Sequence, residues 1–184
     1  MNKIKAAIFL APGFQTSEAV ITIDILRRAN IPVDIVSLSP QLLVKSSLNM
    51  TINCEKEINK INFNDYKILI LPGGTLGVAN LNKNQLLKKH LVDFANDKNK
   101  FVAAICAAPQ ILGQLNLLNN KRVTFYPGCD KDLDLAIKTT QPVIVSDNII
   151  TGKSVGCAFQ FALQIVTILL GQDSSNKVRQ ELEF

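Results

Sequence analysis

Short apolar runs that do not alternate with polar residues, and that end in tight turns, set the strongest limit on how this chain folds. Residues 3–10 (KIKAAIFL) stop at Pro12-Gly13, and Ile68–Leu71 stops at Pro72-Gly73-Gly74. Phe101–Ile105 runs straight into Cys106-Ala107-Ala108-Pro109, and residues 123–125 end at Tyr126-Pro127-Gly128. Strands of this kind are covered on both faces and belong to parallel sheets. Helical patterns lie between them. They run over 16–30, stopped by Asn30 before Pro32, and over 84–99, with Leu87, Leu91 and Phe94 in phase. Two more run over about 107–117 and about 154–170, the last almost wholly apolar and expected in a core or an interface. Residues 33–38, 143–145 and 149–151 read as further strands, and 43–57 alternates weakly and suits a small side hairpin. The alternation predicts an α/β doubly wound sandwich, its mainly parallel sheet flanked by helices on both faces. With no linker or repeat, residues 1–184 read as one domain. Ligands in such folds sit at the carboxyl ends of the strands, so the turns after Leu10, Leu71, Ile105 and Phe125 carry the interest.

The chain has 184 residues, 47% of them hydrophobic and 19% charged, enough for a sizeable core and too apolar for disorder. No apolar run reaches the ~18 residues of a membrane span, and no small-residue cleavage site follows the short apolar start. A soluble, cytoplasmic protein without a membrane partner is expected. A single histidine excludes a metal site built on two or three. The cysteines, at 54, 106, 129 and 157, form no Cys-x-x-Cys pair, which speaks against zinc, iron–sulfur and thioredoxin-type chemistry. Neither a metal nor a cofactor is expected. The net charge of +5 is spread without a basic stripe, so no nucleic-acid partner is expected either. Gly152-Lys153-Ser154 looks like the end of a phosphate-binding loop, but Asp147 stands where that motif requires glycine.

Cys106 is the sharpest candidate. A strand entering a helix through one residue makes an elbow whose turning residue is strained and exposed. A thiol there faces the helix N-terminus, whose dipole and free N–H groups lower its pKa. The plainer alternative is a small buried hydrophobe, as free cysteines usually are. Glu18, in the first turn after the first strand, is brought by the topology close to that elbow, and with no histidine at hand it is the simplest proton carrier. The N–H groups of Gly73-Gly74 and of Ala107 can face a developing oxyanion. His90 reads as packing on its helix, and Cys54, Cys129 and Cys157 as structural or incidental.

Taken together these turns resemble the ThiJ/PfpI superfamily, in the branch of the Parkinsonism-associated protein deglycase and its bacterial relatives. The resemblance rests on Ala104-Ile105-Cys106-Ala107-Ala108-Pro109, on Leu71-Pro72-Gly73-Gly74-Thr75-Leu76-Gly77, on Gly13 and Glu18, and on 159–166 (FQFALQIV). It implies a flavodoxin-like sandwich, usually a homodimer. It implies Cys106 as an oxidation-prone nucleophile, Glu18 as its hydrogen-bonded carboxyl, and the Gly74 and Ala107 amides as anion holders, with Gly73 and Tyr126 in the pocket. Relatives often carry histidine at the position of Tyr126, though many bacterial ones have tyrosine before Pro-Gly. They commonly read Ser-Arg-Gly-Pro-Gly where this chain has Gly152-Lys153-Ser154-Val155-Gly156. The protease-like branch places histidine directly after the cysteine, so Ala107 argues against a peptidase.

The expected function is that of a glutathione-independent glyoxalase or deglycase, acting on small 2-oxoaldehydes through the Cys106 thiolate and Glu18. The alternative is a redox sensor or chaperone of the oxidative stress response, acting through oxidation of Cys106.

Overall fold

The computed structural model describes residues 4–183. Lys3, with which the first strand was expected to open, lies outside them. The strands are β1 (Ala6–Leu10), β2 (Val33–Ser37), β3 (Leu43–Lys45), β4 (Thr51–Asn53), β5 (Lys56–Glu57), β6 (Ile68–Leu71), β7 (Phe101–Ile105), β8 (Arg122–Val123), β9 (Ile137–Lys138), β10 (Val143–Ser146) and β11 (Ile149–Gly152). The helices are α1 (Thr16–Arg28), α2 (Thr75–Asn82), α3 (Gln85–Asn96), α4 (Pro109–Gln114), α5 (Ala158–Leu170) and α6 (Gln172–Glu181).

Seven strands form the central sheet in the order β10-β11-β7-β6-β1-β2-β5. Every neighbouring pair is parallel except β10 with β11. Side chains of one strand divide between two cores. Ala6, Ile8 and Leu10 of β1 pack with α1 and α5, while Ala7 and Phe9 pack with α2, α3 and α4 on the other face. This two-sided burial is why the strand sequences do not alternate. Register sets Leu71 beside Ala104 and Ile105 beside Gly152, so the carboxyl ends of β6, β7 and β11 finish level at one edge.

Local signals place several boundaries. The Asn84 side chain accepts a hydrogen bond from Leu87 N–H at 2.9 Å and caps α3. Asn30 ends α1 in the left-handed region, φ 58°, as Ile31 N–H returns to Leu26 O. His90 lies flat on the Phe63 ring, centroids 3.7 Å apart, and burial lowers its pKa, which suits packing by a neutral ring.

The structure corrects some expectations. The strand expected over 123–125 is the two-residue β8, paired with β9 outside the central sheet. Thr124 leaves the ladder because its N–H donates to Thr151 Oγ1 and its hydroxyl to Gln141 O. The hairpin of β3 and β4 forms as expected, but β5 joins the edge of the main sheet beside β2. The helix expected over 107–117 is confined to Pro109–Gln114, and the last one opens with a 3-10 turn at Val155–Cys157. Helices α2 and α6 were not anticipated. The first is short and opens on a glycine, and the second is polar apart from Val178, which with Ser175 is buried. No helix among the described residues is long and apolar enough to cross a membrane.

Candidate functional site

Glu18 points inward from the first turn of α1 and has no solvent exposure. Its Oε2 accepts a hydrogen bond from Gly73 N–H at 2.7 Å. The other oxygen, Oε1, is sealed from solvent and meets no N–H or O–H donor, and the carboxyl faces the Cys106 thiol. Burial raises the carboxyl above its ordinary range, while the Gly73 N–H and the thiol pull it back.

Cys106 sits between β7 and α4 with φ 65°, a left-handed conformation that costs a non-glycine residue roughly 1–3 kcal/mol. Two backbone hydrogen bonds, each 2.9 Å, hold it there: its N–H donates to Gly152 O, and its carbonyl accepts from Tyr126 N–H. The strained elbow is as expected, but it is mostly buried rather than exposed. Gly74, φ 91°, precedes α2, and its N–H faces the sulfur together with that of Ala107.

Gly73 is what allows the two side chains to meet. A Cβ there would fall 2.6 Å from Cys106 Cβ and 2.7 Å from Glu18 Oε2. Its amide is committed to Glu18, so of the two glycine N–H groups expected at an oxyanion only that of Gly74 faces the sulfur.

The expectation of a lowered thiol pKa is corrected. Burial first, then the Glu18 charge and its hydrogen bond, push the thiol up to about 12, against the Ala107 and Gly74 amides that pull it down. With both groups raised, the pair gives up a first proton and holds the second, and the titration belongs to the pair rather than to either residue.

Of the other expected residues, Tyr126 is half exposed and brings to the elbow a backbone donor. Cys54 is buried in the core and pushed up to about 11 by desolvation. Cys129 lies beside the Gln110 side chain, and Cys157 is 3.9 Å from Ser154 Oγ. Two contributors went unforeseen: the carbonyl of Gly152, and Gln15, whose N–H holds Gly73 O at 2.9 Å. Both act through the main chain, which leaves no residue-type signature. Among the described residues no group of three His, Cys, Asp or Glu could hold a metal ion.

The coupling makes a prediction about pH. Alkylation of Cys106 by iodoacetamide should rise in two steps, one for the first proton of the pair and one far into the alkaline range. Glu18→Gln removes the carboxylate's charge but leaves the burial, so a single step should remain, moved to lower pH than the alkaline step of wild type. Rate against pH in both proteins checks this, and superimposable curves would contradict the coupling.

Residues 4–168 match the model of the DJ-1/PfpI family. The chain is 33% identical over 183 residues to the zebrafish (Danio rerio) Parkinson disease protein 7 homolog, covering 97% of this chain and 96% of the relative. It is 28% identical over 190 residues to a Schizosaccharomyces pombe protein named glutathione-independent glyoxalase DJ-1, covering 98% and 99%. The solved structure of Schizosaccharomyces pombe DJ-1 superposes with a TM-score of 0.92 at 28% identity over 98% of this chain and 100% of that one. Oxidised Toxoplasma gondii DJ-1 superposes with a TM-score of 0.90 at 28% identity over 98% of each chain. With a flavodoxin-like sheet and a family match from the first strand into the last long helix, the chain belongs to the DJ-1/PfpI family.

Proposed function

We propose that the protein is a cofactor-independent, cysteine-dependent enzyme converting small 2-oxoaldehydes such as methylglyoxal to 2-hydroxy acids. The observation that carries this reading is the buried Glu18 carboxyl facing the Cys106 thiol, with the Gly74 and Ala107 N–H groups at the sulfur. The singly ionised pair is the working state. Its reactive form is the one in which the proton has passed from sulfur to Glu18, a transfer that the two amides assist against burial and the carboxylate's charge.

The thiolate adds to the aldehyde carbon, and the carbonyl oxygen, held by the two amides, takes the proton from Glu18 to give a hemithioacetal. The Glu18 carboxylate removes the hydrogen from that carbon as a proton and returns it to the neighbouring ketone carbon, while the hydroxyl proton of the first carbon passes to the ketone oxygen. One carbon is oxidised as the other is reduced, so no external electron carrier enters. Water then cleaves the resulting thioester, releasing lactate and the thiol. The glyoxalase name of the Schizosaccharomyces pombe relative supports the same reading. Methylglyoxal turnover should fall by roughly 10³ or more in Cys106→Ser and by about 10² in Glu18→Ala. Equal lactate production by all three proteins would sink the proposal.

A second reading is favoured by the neighbour solved in an oxidised form. In a redox sensor, peroxide converts the Cys106 thiolate to sulfenic and then sulfinic acid, whose oxygens replace the thiolate as acceptors for the same two amides. Mass spectrometry after mild peroxide should then find two added oxygens on Cys106 alone. Oxidation of all four cysteines alike would count against it.

A homodimer is proposed as well. Val20 of α1 and Leu43, Leu48 and Met50 of the β3–β4 hairpin are large, apolar and exposed. The hairpin is tied to the loop before α1 by Gly13 N–H to Lys45 O and Ser47 N–H to Phe14 O. A second copy of this chain would cover these side chains. Light scattering should give twice the chain mass for wild type and a single mass for Leu48→Glu, and a monomeric wild type would rule the dimer out.

A further inference from the structure

A groove between α2 and α4, unused by the chemistry proposed above, opens beside the elbow. Its volume is about 230 Å³. Thr75 and Ala107 are among the residues that line it. The first follows Gly74, and both Gly74 and Ala107 turn an amide to the sulfur, so the groove adjoins the residues around a sulfur-bound carbon.

The walls are specific in their chemistry. Asn82, Gln110 and Gln114 contribute three carboxamides, and Thr75 adds a hydroxyl. A carboxamide carries donors and an acceptor, although the Gln110 side chain is already hydrogen-bonded to the Cys129 sulfur. Lys131 and Asp132 border the groove with opposite charges, which leaves it without net charge. Asn82 Oδ1 is sealed from solvent and accepts no hydrogen bond, so the carboxamide loses nothing when it turns toward a ligand. Gln114 Oε1 is taken by Lys88 at 3.1 Å, which leaves its amide hydrogens free to donate. Groups that both donate and accept, in a neutral setting, match hydroxyls rather than a carboxylate, a phosphate or an alkyl chain.

We propose that this groove receives the hydroxylated tail of a 2-oxoaldehyde longer than methylglyoxal while its aldehyde carbon is held on Cys106. The proposal rests on the enzyme reading above and names its substrate class: sugar-derived 2-oxoaldehydes with several hydroxyls beyond the dicarbonyl.

The test compares kcat/KM for 3-deoxyglucosone, which has such a tail, with that for methylglyoxal, which has none. Ala79 lies exposed on the α2 wall, and Ala79→Phe fills the groove from there. Gln114→Leu removes one of the hydrogen-bonding walls. The ratio of the two constants should fall about tenfold in Ala79→Phe and severalfold in Gln114→Leu. A ratio equal to that of wild type in both variants overturns the proposal. Occupancy is read with turnover slowed and the thiol kept, from the side-chain carboxamide NMR signals of Gln110 and Gln114, titrating Glu18→Ala with 3-deoxyglucosone. Shifts confined to these signals support the groove even where Cys106→Ser retains methylglyoxal turnover, a result that overturns the enzyme reading alone. Unmoved signals overturn the groove and leave that reading standing.

Discussion

A carboxyl cut off from water has to be answered from within the protein, and Glu18 is answered by one backbone amide and one thiol. Much of the site follows from this. Desolvation raises the carboxyl above its ordinary range, so it gives up its proton less readily than an exposed carboxyl, next to a sulfur that can carry charge. The amide that serves it belongs to Gly73, and no larger residue fits between the carboxyl and Cys106. Gln15 fastens the other side of that residue through its carbonyl, and Gly74 beyond it turns the chain so that α2 begins facing the sulfur.

The sheet supplies what the carboxyl needs. Neighbouring β6 and β7 deliver Gly73 and Cys106 side by side, and β1 delivers α1 and Glu18 from the far side of β6. Parallel pairing with level ends is what brings three loops distant in sequence to one edge. The central strands β1, β6 and β7 are apolar on both faces for the same reason that the edge is available: helices cover the faces, and the ends are left open.

This arrangement was legible in the sequence to an uneven degree. The buried strands Ile68–Leu71 and Phe101–Ile105, the helical pattern with Leu87, Leu91 and Phe94 in phase and the stop at Asn30 stood out because they rest on local patterns. Proximity of Glu18 to the Cys106 turn followed from topology alone. Helix α2 did not show, since eight residues opening on a glycine carry too little periodicity, nor did α6, whose polar sequence gains stability by packing on α5. The small strand β8 was overrated because the side chains of Thr124 and Thr151 intercept hydrogen bonds that its apolar neighbours would otherwise leave to a ladder. The sense of the thiol shift was misread for a different reason. A helix terminus is visible in sequence, whereas the degree of burial and the charge of a partner are properties of the finished packing.

The hydrogen bonds from Cys106 N–H to Gly152 and from Tyr126 N–H to Cys106 commit both main-chain groups of the elbow. The main chain therefore has no slack, and whatever is attached to the sulfur must be absorbed elsewhere. Added bulk presses on the bare α-carbon of Gly73, and added charge acts on the proton of Glu18. The elbow works as a fixed jaw closing on movable contents. A group added to the sulfur would meet a limit of shape on one side and of polarity on the other while the frame around it stays where it is.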